Sequence, residues 1–169
     1  MGEVKTVKAR FLLFIPLMLL SSCGGDGETL GPGGNNQDGV KTSSTFPLNE
    51  LQAYLDTFLT SDVEFPYYTG GTSYIYMISK DGGTTDIFHV AAYLNSASEV
   101  ESAASGFSSY CSTYMNYTVT SQVYSGITIY TAVDSTNQLK IQCLGNSGTV
   151  DGTTVHAVSF AYMPAYLNY

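Results

Sequence analysis

The second half of the chain repeats one pattern four times. Runs rich in β-branched and aromatic residues span Tyr117–Tyr124, Ile127–Val133, Gln138–Leu144 and Thr153–Met163. Turn-forming clusters separate them, at Ser125-Gly126, Asp134–Asn137 and Asn146–Gly152. Parallel neighbours need a crossover of about a dozen residues or more, so strands joined by such short turns must run antiparallel. An upstream pair, Ser73–Ser79 and Asp86–Leu94, flanks Lys80-Asp81-Gly82-Gly83 and reads as a further hairpin.

Two stretches carry the helical period instead. Leu48, Leu51, Leu55, Phe58 and Leu59 recur at three and four, predicting a helix over Asn49–Thr60 with Asn49 and Gln52 at its start. Val100, Ala104, Phe107 and Cys111 form one stripe of a second helix over Ser98–Tyr114. There Ser98 and Glu101 have capping-box spacing. The expected order is αββαββββ. Helices segregated from antiparallel strands imply an α+β two-layer sandwich, with both helices on one sheet face.

This pattern covers residues 45–169, a normal size for one independent core. The preceding composition is different. Seven glycines lie between Gly24 and Ser44, where Leu30 and Val40 are the only aliphatic residues. Such a segment buries too little apolar surface to offset its chain entropy, so residues 23–44 are expected to be a tether. Its random-coil reach is about 25 Å.

Residues 1–22 have the parts of an export signal: basic Lys5, Lys8 and Arg10, then an apolar run from Phe11 to Leu20. A ten-residue helix is about 15 Å long, half of a bilayer core, and too short for a stable span. Leu20-Ser21-Ser22-Cys23 closes this run and resembles the lipobox of bacterial prolipoproteins. The resemblance implies cleavage before Cys23 and a lipid, palmitate included, on the mature N-terminal cysteine. It also implies a membrane partner reached through that lipid. Gly24 stands where aspartate often signals inner-membrane retention in that family, so the expected location is the outer membrane of a two-membrane envelope.

Charge removes whole classes of function. Beyond the signal there is no arginine, and Lys41, Lys80 and Lys140 face thirteen acids, a formal charge of −10. Nucleic-acid binding relies on cations that neutralise phosphates, so it is excluded as an expectation. Phosphorylated ligands are disfavoured for want of a guanidinium fork. An acidic surface is also repelled by anionic headgroups, which leaves the lipid as the attachment.

Cysteine and histidine are the remaining candidates for chemistry. Cys111 lies on the helix stripe, and Cys143 shares a strand face with Leu139 and Ile141. Both are expected to face one core layer, and an even pair in an exported domain predicts a disulfide. His89 and His156 both fall within strands, without a zinc-ligand spacing. There is no Gly-x-Ser-x-Gly elbow and no phosphate-binding loop, and no cofactor or metal is expected. Fourteen tyrosines are expected first to cover the edges of a small sheet with hydroxyls in water, the alternative being a recognition face on a strand, and the absence of tryptophan disfavours a sugar platform. The expected role is a non-enzymatic binding or accessory module that engages an envelope or secreted protein. The alternatives are a small envelope hydrolase using a strand histidine, and a structural spacer.

Overall fold

The computed structural model describes residues 39–60, 63–81, 85–150 and 152–167. The expected signal segment, the lipobox-like motif and most of the expected tether lie outside them. The described elements are β1 (Lys41–Ser43), α1 (Leu48–Leu55), β2 (Ser73–Asp81), β3 (Thr85–Leu94), α2 (Ala97–Thr113), β4 (Thr118–Tyr124), β5 (Ile127–Asp134), β6 (Leu139–Val150) and β7 (Thr153–Pro164). The fold is mixed α+β. Seven strands form one sheet in the order β1-β2-β3-β7-β6-β5-β4, and every neighbouring pair is antiparallel.

That order follows from one long excursion. After β3 the chain enters α2, which contacts β3, β4, β5, β6 and β7. It emerges at the far edge of the sheet as β4. Three hairpins then walk back through β5 and β6, and β7 lands beside β3. The first is a two-residue turn, in which Ser125 at φ 50° and Gly126 at φ 82° adopt the left-handed geometry of a type I′ connection. In the second, the Asp134 carboxylate accepts from the backbone N–H groups of Thr136 at 2.9 Å and Asn137 at 3.1 Å. This Asx arrangement fixes the bend.

Alternation along the strands sorts the core. Tyr74, Phe88, Val90, Phe160, Tyr162 and Ile141 share one cluster with Leu51 and Leu55 of α1 and with Val100, Phe107 and Cys111 of α2. Phe160 is central: its ring meets Phe107 edge-on at 4.7 Å and stacks on Tyr68 at 5.7 Å. The opposite parity forms two smaller clusters, Ile75 with Ala91, and Ile87 with Ala161, Met163 and Leu167.

Four local expectations change. The first helix is shorter than Asn49–Thr60 and ends at Leu55, and its cap position is Pro47, with Asn49 inside. Gln52 Nε2 donates to the Asp56 carboxylate at 2.7 Å, so Gln52 serves the end of the helix and not its start. The second helix begins one residue early, with Ser96 at its cap position. Glu99, not Glu101, reaches back, accepting from the Asn95 N–H at 3.0 Å. The Ser-x-x-Glu spacing occurs twice, but neither copy closes the box, since Ser96 makes no side-chain cap bond and Glu99 takes the N–H before the cap. Strand β6 runs through Asn146 and Gly148, residues expected in a turn, because each pairs with β7. Finally, Lys41–Ser43 of the expected tether forms β1 on β2, so the order gains a leading strand.

Candidate functional site

A depression of about 720 Å³ forms a groove between the segment 67–70 and the outer flank of α2. It is assembled by anchoring an irregular segment. The Tyr162 hydroxyl donates to the Pro66 carbonyl at 3.0 Å, and the Gly71 N–H donates to the Tyr74 hydroxyl at 3.0 Å. Between these fixed points Tyr68 leans inward onto Phe160. Tyr67 stays near the surface, its ring 5.1 Å from Phe46. The facing wall is helical. Ser102, Ala103 and Gly106 form a low floor, Phe107 closes its inner side, and Tyr110 stands at its end.

Two rings with hydroxyls therefore face solvent across this floor, Tyr67 at 42% and Tyr110 at 44% exposure. The Tyr110 ring also packs on Tyr114 at 5.3 Å. Glu99 lines the same groove, and its lining has no cationic side chain. Burial, followed by the nearby Tyr74 and Glu99, raises the Tyr68 hydroxyl above its ordinary range. Tyr68 thus remains a neutral donor and acceptor at any physiological pH. The groove offers flat apolar faces, hydroxyls and one carboxylate. That combination suits neutral or cationic polar groups and repels anions.

The histidines lie elsewhere and apart. His89 faces Ala161 across the β3–β7 ladder, and His156 lies five residues earlier on β7. An odd offset puts them on opposite sheet faces, and five residues of strand separate them by about 17 Å. His89 is buried at 4% exposure, with a ring nitrogen 2.7 Å from Ser79 Oγ. Burial pulls its pKa down to about 4, so the ring is neutral. His156 Nδ1 lies 2.8 Å from Ser147 Oγ in a more open position. Among the described residues, no group of three or more His, Cys, Asp or Glu is placed to hold a metal ion.

Cys111 and Cys143 do reach the same buried cluster, as their stripes implied. Both are free thiols in the structure, and the expected bond is not formed. Burial pushes the Cys111 thiol up to about 12 and raises Cys143 well above its ordinary range. The attacking species in disulfide chemistry is the thiolate, so the closed core holds both in an inert form. Cys23 lies outside the described residues.

Sequence reasoning identified the tyrosines as a class but expected them on a strand face. Tyr67 and Tyr68 instead sit in a loop and Tyr110 on a helix. The Phe-Pro-Tyr-Tyr run before Gly70-Gly71 was the available signal: four bulky residues in a loop must find somewhere to pack. No family model, no curated protein and no solved structure matches this chain. No described helix is long and apolar enough to cross a membrane.

Proposed function

We propose that this chain is an envelope lipoprotein, anchored by lipid on Cys23, whose folded domain is a non-enzymatic binding module. The observation that carries the binding reading is the open tyrosine-lined groove, with Tyr67 and Tyr110 exposed above a floor of small residues. Tyrosine supplies large contact area at little conformational cost, and Glu99 adds a preference for cationic partners. The favoured ligand is an extended segment of an envelope or secreted protein that carries lysine or arginine. Neither histidine lines this groove, which weighs against a hydrolase built on it. A spacer has no use for solvent-facing aromatic rings.

The lipobox, the basic start and the short apolar run support the anchor. Gly24 supports outer-membrane delivery, and the tether would hold the domain clear of the headgroups. The shared cluster of α1, α2 and alternate strand residues supports a two-layer reading with both helices on one sheet face. In the exported protein, joining Cys111 to Cys143 requires oxidation before the core closes over them.

The test of binding is capture from intact cells with the mature chain, wild type beside Tyr67→Ala/Tyr110→Ala. Both positions are half-exposed, so the variant should keep its fold. Loss of the captured protein from the variant alone is the expected result. Equal capture by both chains overturns the assignment of the groove.

A further inference from the structure

The sheet has two edges, and they are built differently. One edge is β1, three residues long and beginning with Lys41. The other is β4, seven residues reading Thr-Val-Thr-Ser-Gln-Val-Tyr. Natural edge strands are blunted by lysine, proline, bulges or shortness. Strand β4 has none of these. It contains no charge and no proline, and its register with β5 runs unbroken from Thr118↔Val133 to Tyr124↔Ile127. No strand lies beyond it among the described residues. Val123 is 73% exposed at this edge.

The adjoining turn shows which backbone groups are open. In a two-residue type I′ hairpin, the flanking pair is hydrogen-bonded, here Tyr124 with Ile127. Tyr124, Gln122, Thr120 and Thr118 therefore direct their N–H and C=O groups toward β5. Val119, Ser121 and Val123 direct theirs outward, with nothing in the sheet to receive them.

We infer that β4 is a self-association surface, through which two copies of this chain pair antiparallel about a two-fold axis at Ser121. The sequence is complementary to itself in that register. Ser121 meets Ser121 of the partner subunit, and Val119 meets Val123 of the partner subunit on one face. On the other face Thr118 meets Tyr124 of the partner subunit, and Thr120 meets Gln122 of the partner subunit. The three outward residues of each copy fall opposite one another, giving about six backbone hydrogen bonds across the join. Charge favours this meeting place over others. The whole chain has a net charge of −8, so most of its surface repels a second copy, whereas β4 brings no charge to the contact. Association should therefore strengthen as salt screens the two acidic bodies. The result is one continuous sheet across the dimer, with both long edges removed from solvent.

The register makes a specific cross-linking prediction. At the axis, Cα atoms of the two copies lie about 5.5 Å apart, within the span of a disulfide. At residue 118 the two copies are offset by six residues, about 20 Å. Full chain bearing Ser121→Cys, mildly oxidised in isolated membranes, should run as a reducible dimer, while Thr118→Cys should not. In purified full chain in mild detergent, Ser121→Lys or Ser121→Glu alone should weaken dimerisation about tenfold or more, because like charges then sit directly opposite. Mixing the two variants should restore a dimer, a readout that a misfolded variant cannot give. Monomeric wild-type chain at all concentrations overturns the inference. So does cross-linking at 118 in place of 121, or a dimer indifferent to charge at 121. Capture of a foreign strand at Ser121→Cys without self-cross-linking likewise assigns the edge to another occupant.

Discussion

The same chemical change at two glycines should move stability in opposite directions. Gly145 lies on β6 beneath the first turns of α2. A Cβ built there falls 2.4 Å from Val100 Cγ1 and 3.0 Å from the Val100 carbonyl oxygen. The methyl contact can be relieved by turning Val100, but Val100 is itself buried in the main cluster. The carbonyl belongs to the helix backbone, so α2 must lift by a few tenths of an ångström. Overpacking of this kind costs about 1–3 kcal/mol. Gly106 lies on the outer face of the same helix, and a Cβ there meets nothing within 4 Å. Gly106→Ala removes only backbone freedom and should stabilise the fold by about 1 kcal/mol. Urea unfolding followed by circular dichroism measures both. Gly145→Ala should lower the midpoint and Gly106→Ala raise it, with the slope unchanged in each. If both variants shift the midpoint the same way, α2 does not approach β6 closely at Gly145.

Further outcomes follow from the core and the site. His89 is neutral in the fold at a pKa of about 4 against 6.5 when unfolded, so the unfolded chain takes up its proton first as pH falls. Stability should therefore decline from about pH 6.5 to about pH 4, by about 3 kcal/mol in all. The loss should vanish in His89→Gln, and the His89 imidazole itself, assigned by its absence from that variant, titrating near 6.5 in the folded protein by NMR refutes it. Phe160→Ala removes a ring held between Phe107 and Tyr68 and should cost about 3–5 kcal/mol in urea unfolding. Cys23→Ala should abolish fatty-acid labelling, and persistent palmitate incorporation would disprove the anchor. Mass spectrometry of natively exported protein, alkylated in denaturant so that burial no longer shields the sulfurs, should show Cys111 and Cys143 protected until reductant is added; closing that loop is worth at most about 4 kcal/mol. Two thiols alkylated without reductant would show that the pair stays reduced.

Several features were legible in the chain alone because their causes are local. Ser125-Gly126 needs only left-handed backbone angles, and Asp134 needs only its own next few N–H groups. The Val100, Ala104, Phe107, Cys111 stripe follows from helical period, and all four side chains are buried. The excess of acids over bases is likewise a property of composition, whatever the fold. Other features required the assembled molecule. Lys41–Ser43 has no apolar pattern and becomes β1 only because β2 offers an open ladder. Asn146 and Gly148 favour a turn in isolation, yet continuous pairing with β7 satisfies their backbone groups and holds them extended. Strand order was equally hidden. Only α2, lying across the sheet, carries the chain to the far edge so that β7 returns beside β3. The groove is the clearest case. Tyr67 and Tyr110 are forty-three positions apart, and they line one groove only because Tyr162 and Tyr74 pin the loop against the helix flank. Local preference is written residue by residue, whereas a binding surface depends on which distant backbones the core brings together.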